Sequence, residues 1–332
     1  MKIIVPMAGM GKRMRPHTLS IPKPLIKVAG KSIVQRLVED ITEISKDRVD
    51  EIAFIIGDFG EQVESDLKMV AESLGAKASI YYQHEALGTA HAILCAKESL
   101  DGKVVVAFAD TLFKGEFEFD PNADGILWVK SVEDPSAFGV VKLNEKEEIT
   151  DFVEKPSEFV SDLAMIGIYY FKDGQQLKEE LQYLIDNDVI KGGEYQLPDA
   201  LRNMLNKGTI FKTGKVEEWL DCGNKDATTY SNQRVLHHIG DDIATDLVQE
   251  NSSIISPCYI GKGVKIKNSV VGPYVSIGDH SEISDARIEN SIIQDHSNIS
   301  SCVIDNSMIG HHAEVEGEAI DLSLSDYSKI KA

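Results

Sequence analysis

Ile288-Glu289-Asn290-Ser291-Ile292-Ile293 recurs sixteen residues later as Ile304-Asp305-Asn306-Ser307-Met308-Ile309. Around that pair, Val271, Ile277, Ile283, Ile288, Ile293, Ile299, Ile304, Ile309 and Val315 follow one another at steps of five or six. Any three consecutive steps sum to 16 or 17. An amphipathic helix returns its apolar face every three or four residues and a half-buried strand every two, so neither produces this period. A short apolar side followed by a turn, three sides to a coil, does produce it. The C-terminal part therefore reads as a β-helix of about four to five coils. The expected divisions are a β-helix over 253–332, a linker over 239–252 and a first domain over 1–238.

That first domain has a different pattern. Strand-like runs at 2–6, 51–56, 78–82 and 103–108 alternate with helix-like stretches near 32–46, 61–74 and 89–99. Such alternation predicts a parallel sheet with helices on both faces. From 125 to 171 the pieces become β-rich, in Gly125-Ile-Leu-Trp-Val, Gly139-Val-Val-Lys-Leu, Ile149-Thr-Asp-Phe-Val and Ile166-Gly-Ile-Tyr-Tyr-Phe. Helices are expected near 173–187, 196–206 and 224–238, with a strand near 209–213.

Composition narrows the class. The 332 residues suffice for two cores, and 42% hydrophobic content is ordinary for a globular protein. No apolar run approaches the roughly 20 residues that span a bilayer, and the N-terminus lacks the regions of a signal peptide. Cys95, Cys222, Cys258 and Cys302 are scattered without a Cys-x-x-Cys pair and read as free or buried thiols. A cytoplasmic location without a membrane partner is expected. The net charge of -20, with no basic stripe beyond the N-terminal segment, argues against nucleic acid as a partner.

The exception to the acidity is that N-terminal segment. The first 38 residues hold eight Lys or Arg and no Asp or Glu. They surround Met7-Ala8-Gly9-Met10-Gly11-Lys12-Arg13-Met14, which follows the apolar run Ile3-Ile4-Val5. A dinucleotide fingerprint fails, because Met14 stands at the third glycine position and lysines stand where an acidic ribose ligand belongs. A Walker A loop fails because Arg13 follows Gly11-Lys12 in place of Ser or Thr. What remains is a glycine turn whose backbone N–H groups are available to phosphate oxygens, with charge added by Arg13 and Lys23. Pro22 and Pro24 stiffen the second cationic arm. The plain alternative is a solvated basic turn, although surface charge in an acidic protein is normally mixed.

The run Ala8-Gly9-Met10-Gly11-Lys12-Arg13-Met14-Arg15-Pro16-His17-Thr18, followed by Pro22-Lys23-Pro24-Leu25, resembles the signature of the sugar-phosphate nucleotidylyltransferases, or NDP-sugar pyrophosphorylases. Within them the likeness is greatest to glucose-1-phosphate thymidylyltransferases. It extends over about residues 1–238, and several members carry a left-handed β-helix tail. The resemblance implies an α/β fold: a Rossmann-like nucleotidyltransferase domain with a mixed sheet, then a left-handed parallel β-helix. It implies nucleotide binding by Ala8, Gly9, Gly11, Gln83, Gly88 and Thr89. Gln83, in Gln83-His84-Glu85-Ala86-Leu87-Gly88-Thr89, offers an amide donor and acceptor to the edge of uracil or thymine, and guanine presents a comparable edge.

Asp110 ends the apolar run Val104-Val-Val-Ala-Phe-Ala109, at the carboxyl-end crevice where α/β sheets bind ligands, though a turn or cap aspartate has the same look. The resemblance makes Asp110 and Asp221, in Trp219-Leu220-Asp221-Cys222-Gly223, ligands of Mg²⁺. It places Gly139, Glu154 and Lys155 at the sugar phosphate, and Arg13 and Lys23 in catalytic roles on the phosphates. The attacking oxygen of a sugar 1-phosphate is already ionised, so His17, His84 and His91 are expected to pack around or behind the site.

The expected reaction joins a nucleoside triphosphate, dTTP or UTP first, to a hexose 1-phosphate, glucose 1-phosphate first, with release of pyrophosphate. Three alternatives stand beside it: a mannose-1-phosphate guanylyltransferase, a bifunctional enzyme whose β-helix transfers acetyl groups, and a non-catalytic regulatory homologue. The tail is expected to make homo-oligomer contacts or to bind an effector.

Overall fold

The computed structural model describes residues 1–45, 47–115, 123–317 and 323–331. The chain gathers into two compact units that cross the expected boundary. One comprises residues 1–9 and 37–219, the other residues 10–36 and 220–332. Among the described residues no helix is long and apolar enough to cross a membrane.

The first unit is built on one mixed sheet. In chain order its elements are β1 (Lys2–Pro6), α1 (Ile33–Ile44, whose first turn belongs to the other unit), β2 (Glu51–Ile56), α2 (Glu61–Ser73) and β3 (Lys77–Tyr82). There follow α3 (Thr89–Cys95), β4 (Val104–Ala107), β5 (Gly125–Ser131), β6 (Gly139–Leu143), β7 (Ile149–Glu154), β8 (Leu163–Phe171), α4 (Gly174–Asp186), α5 (Leu197–Asn206) and β9 (Phe211–Lys215). The strand order is β7-β6-β8-β4-β1-β2-β3, and β5 pairs with both β8 and β9. β4, β1, β2 and β3 are mutually parallel, while β8 runs antiparallel to β4, β5 and β6. Helices cover the parallel strands, so β2 and β4 are buried along their whole length and read as continuous apolar runs. The carboxyl ends of β1, β3 and β4 lead into Met7–Gly9, Gln83 and Asp110.

In the second unit α6 (Lys225–Ile239) is followed by the coils of a parallel β-helix, as expected of the left-handed kind. Strands stack as three parallel sheets, with Ile260 over Ile277, Ile277 over Ile293 and Ile293 over Ile309. Each residue of the five-or-six series, from Val271 to Val315, is at most 3% exposed. The coils turn at left-handed residues that recur in columns, one of them Asn251, Asn268, Asp285 and Ser301. Asn and Asp tolerate that conformation because their short side chains bond the local backbone.

The stretch 239–252 was expected as a linker, yet it already carries strands. Asp242–Ile243 pairs with Tyr259–Ile260, and Val248–Glu250 pairs with Lys265–Lys267. The first coil thus begins directly after α6. Its Ile243 stacks on Ile260 at the head of an inward column, but the next inward position, over Ile266, is held by Gln249, and the exposed Val248 points outward with Lys265, so the apolar period that marks the later coils is broken there.

Candidate active site

The phosphate-type segment lies in the second unit and is made of single tight turns. Gly11 adopts a left-handed conformation (φ 56°, ψ 37°) ahead of the turn Lys12–Met14, and Met14 N–H donates to Gly11 O at 2.9 Å. Met14 is fully buried, while Lys12, Arg13 and Arg15 on either side of it are exposed. A Cβ at Gly11 would meet Lys23 Cβ and Thr18 Cγ2, each at 3.0 Å, so the fold brings Gly11 and the Lys23 arm together. Thr18 Oγ1 donates to Gly11 O at 2.8 Å, which fastens the two turns.

Asp221 and Arg13 both lie beside Gly223 in this unit. A Cβ at Gly223 would lie 2.9 Å from Asp221 Oδ1 and 3.3 Å from Arg13 Nη2. A carboxylate and a guanidinium some two hundred residues apart in sequence thus flank one glycine. Immediately beyond, the Asn224 side chain caps α6 by accepting from Ala227 N–H at 3.0 Å.

The first unit holds the other expected residues. Nothing among the described residues lies within 4 Å of where a Gly9 Cβ would be, so protein packing does not explain that glycine. Gln83 Nε2 donates to Gly88 O at 3.2 Å and to His91 Nδ1 at 3.1 Å. Both amide hydrogens have internal acceptors, and the Oε1 carbonyl is the part of the amide that these bonds leave unused. Burial lowers the His91 pKa, against the pull of Glu85, and so favours the neutral ring that accepts this bond. Gly88 sits at φ 108°, where a Cβ would come within 2.4 Å of Tyr195 O. Thr89 is engaged in holding the fold, since its Oγ1 accepts from Leu197 N–H at 3.0 Å at the start of α5.

Gly139 and Glu154 face each other across the β6–β7 ladder. A Cβ at Gly139 would stand 2.7 Å from Glu154 Oε2 and 2.5 Å from Met165 Cε. Lys155 adopts a positive φ of 42°, and its Nζ stands 4.0 Å from Glu154 Oε1. Phe138, just before Gly139, packs edge-on against Trp219 at 4.9 Å between centroids.

A model of the family described as "Nucleotidyl transferase" matches residues 2–238. The chain belongs to that family.

It is 29% identical over 325 residues to the low-salt glycan biosynthesis nucleotidyltransferase Agl11 of Haloferax volcanii, covering 88% of this chain and 87% of that one. It is 27% identical over 317 residues to a glucose-1-phosphate thymidylyltransferase of Streptomyces griseus, with the same coverage. Among solved structures, the nucleoside-diphosphate-sugar pyrophosphorylase of Vibrio cholerae RC9 superposes with a TM-score of 0.59 at 21% identity. That superposition covers 70% of this chain and 99% of the other, and it shows the shared fold.

One residue escaped the sequence reading of this nucleotidyl transferase. Tyr169 on β8 is buried, and its hydroxyl pKa is raised first by that burial and then by the carboxylates of Glu154 and Asp110. A single phenol therefore senses both acids expected to serve substrate and metal. The register break in β8 between Met165 and Tyr169 sits at this point, and Phe108 N–H donates to Gly167 O there at 2.9 Å. Only the bulge could have signalled it in sequence, through Gly167 inside an otherwise apolar strand. His84 is exposed and stacks on Tyr82 at 5.7 Å, whereas His17 is buried and His91 supports Gln83, so neither of the latter faces an open position as a base would.

Proposed function

We propose that the chain is a sugar-1-phosphate nucleotidylyltransferase that joins dTTP or UTP to a hexose 1-phosphate, glucose 1-phosphate first, and releases pyrophosphate. The observation that carries this reading is the placing of Arg13 and Asp221 on either side of Gly223, in the unit that also packs Gly11 on Lys23. Cations for phosphate and a carboxylate suited to a metal are what such a displacement requires in one place.

Arg13 and Lys23 would hold the phosphates, and the open face of Gly9 would admit a phosphate oxygen to the backbone N–H groups. Gln83 would present its carbonyl to a base. That acceptor suits the ring N–H of thymine, uracil or guanine, and it would also take the exocyclic amine of adenine or cytosine, so the order of bases rests on the family likeness. Glu154 would accept hydrogen bonds from sugar hydroxyls over the bare backbone of Gly139, and Lys155 would reach the sugar phosphate. The incoming sugar-phosphate oxygen attacks the α-phosphorus in line with the departing pyrophosphate, and no proton has to be removed from it.

Asp110 and Asp221 are each a partly exposed hard oxygen donor, the chemistry by which Mg²⁺ is held while it keeps several waters. When bound there, Mg²⁺ would neutralise charge on the phosphate oxygens.

Gln83 serves guanine's N–H edge equally well, which keeps mannose-1-phosphate guanylyltransferase as the second reading. A matrix of dTTP, UTP, GTP, ATP and CTP against glucose, mannose and amino-sugar 1-phosphates, with pyrophosphate detection, tests both. Turnover with dTTP or UTP and glucose 1-phosphate is expected. Preference for ATP or CTP would overturn both readings of the base, and silence across the matrix would refute the activity.

A further inference from the structure

The faces of the β-helix are not alike. On the sheet through 265–267, 282–284 and 298–300, the outward residues Lys265, Lys267, Glu282 and Asn298 are exposed. On the sheet through 275–277, 292–293 and 308–309, the outward residues Ser276, Ile292 and Met308 are buried. Within the same unit, the segment that carries Gly11, Arg13 and Lys23 is anchored along this second side. Lys27 Nζ pairs with Asp295 Oδ2 at 2.7 Å, and Gln294 Nε2 donates to Lys27 O at 3.1 Å. Ala29 N–H donates to Asn232 Oδ1 at 2.9 Å, which also accepts from Ser276 Oγ at 2.6 Å. The ring of Tyr259 fills the space where a Gly30 side chain would stand.

We propose that this coil edge is the seat of the phosphate-binding segment, and that Asp295 and Gln294, acting through Lys27, are positioning residues for it. The proposal rests on reading residues 9–25 as the triphosphate site. Two physical points support it. First, residues 12–25 form three separate three-residue turns, a length at which helical hydrogen bonding does not hold a conformation alone. Second, residues 10–36 hold seven cations and no acid of their own, and Asp295 brings an anion to Lys27 from 268 residues away. Asp295 is itself fixed in the coil, since its Oδ1 accepts from Asp279 N–H at 3.1 Å. The β-helix thereby takes on an intramolecular role, separate from any oligomer contact.

The test uses the full chain with Asp295→Asn, Lys27→Met and both together. Lys27→Met leaves the coils untouched should Asp295→Asn fold poorly. Amide exchange within residues 10–36 is expected to rise about tenfold while residues 258–316 stay protected. KM for the triphosphate is expected to rise about three- to fivefold in each single variant, kcat to change less, and the double variant to be no worse than the singles. Asp295→Glu should recover part of the loss. Unchanged exchange in 10–36, or fully additive losses in the double variant, would overturn the proposal. So would a lower kcat at constant KM, which is what a smaller folded fraction gives. The exchange measurement decides the docking even if the substrate matrix is silent, so the two readings fail separately.

Discussion

At the scale of single residues, glycines separate packing from chemistry. A Cβ at Gly88 would meet the Tyr195 backbone at 2.4 Å, and its φ of 108° is one that side chains avoid. Gly88→Ala should therefore lower stability by about 1–3 kcal/mol, read from urea unfolding. At Gly139 the obstacles are flexible ends, Glu154 Oε2 and Met165 Cε. Gly139→Ala should displace the Glu154 carboxylate instead, raising KM for the sugar 1-phosphate severalfold with melting little changed. Equal effects on both substrates would contradict that. Arg13 and Lys23 contribute charge and little burial, so Arg13→Ala and Lys23→Ala should each lower kcat by about a hundredfold or more with folding intact. Near-normal turnover in either would remove it from the phosphate site. The candidate residues were legible because Gly, Lys and Asp stand in a spaced motif. Tyr169 was not, because an apolar strand gives no sign of which side chain two carboxylates will face.

Elements were legible where one period runs long. The strands 2–6 and 51–56 begin and end as read, because full burial on both faces writes itself as an unbroken apolar run. The β-helix was legible through its inward column, and the first coil was not, since Gln249 interrupts the apolar series at the inward position over Ile266. That column makes a quantitative prediction. Ile283 is 1% exposed and stacked between Ile266 and Ile299. Ile283→Ala should cost about 2–5 kcal/mol by leaving a cavity between coils, seen as a lower melting transition. A change below about 1 kcal/mol would mean that the coils collapse around the gap.

Acid sensitivity shows how distant parts of the second unit depend on one another. His17 is 4% exposed and hydrogen-bonded to Ser323 Oγ at 3.1 Å. Burial pushes its pKa down to about 4, with Asp326 opposing that shift and His311 adding to it. A histidine depressed below its ordinary 6.5 favours the fold when neutral, so its stabilisation is complete above about pH 6.5 and is lost as pH falls through 4. The loss should approach about 3 kcal/mol, and His17→Gln should flatten the curve of unfolding free energy between pH 7 and 4. A variant with the same pH dependence as the parent would show that His17 is not the group responsible.

The sequence by itself determined the alternating α/β sheet, the β-helix period, the basic glycine turn and the residues offered for chemistry, because each is a local pattern or a spacing. Only the tertiary structure decided that residues 10–36 fold with 220–332 and apart from the strand that precedes them. It also decided that Arg13 and Asp221 flank Gly223 and that Lys27 pairs with Asp295. Those placements bring together side chains hundreds of residues apart, and no period within either segment encodes the identity of its partner.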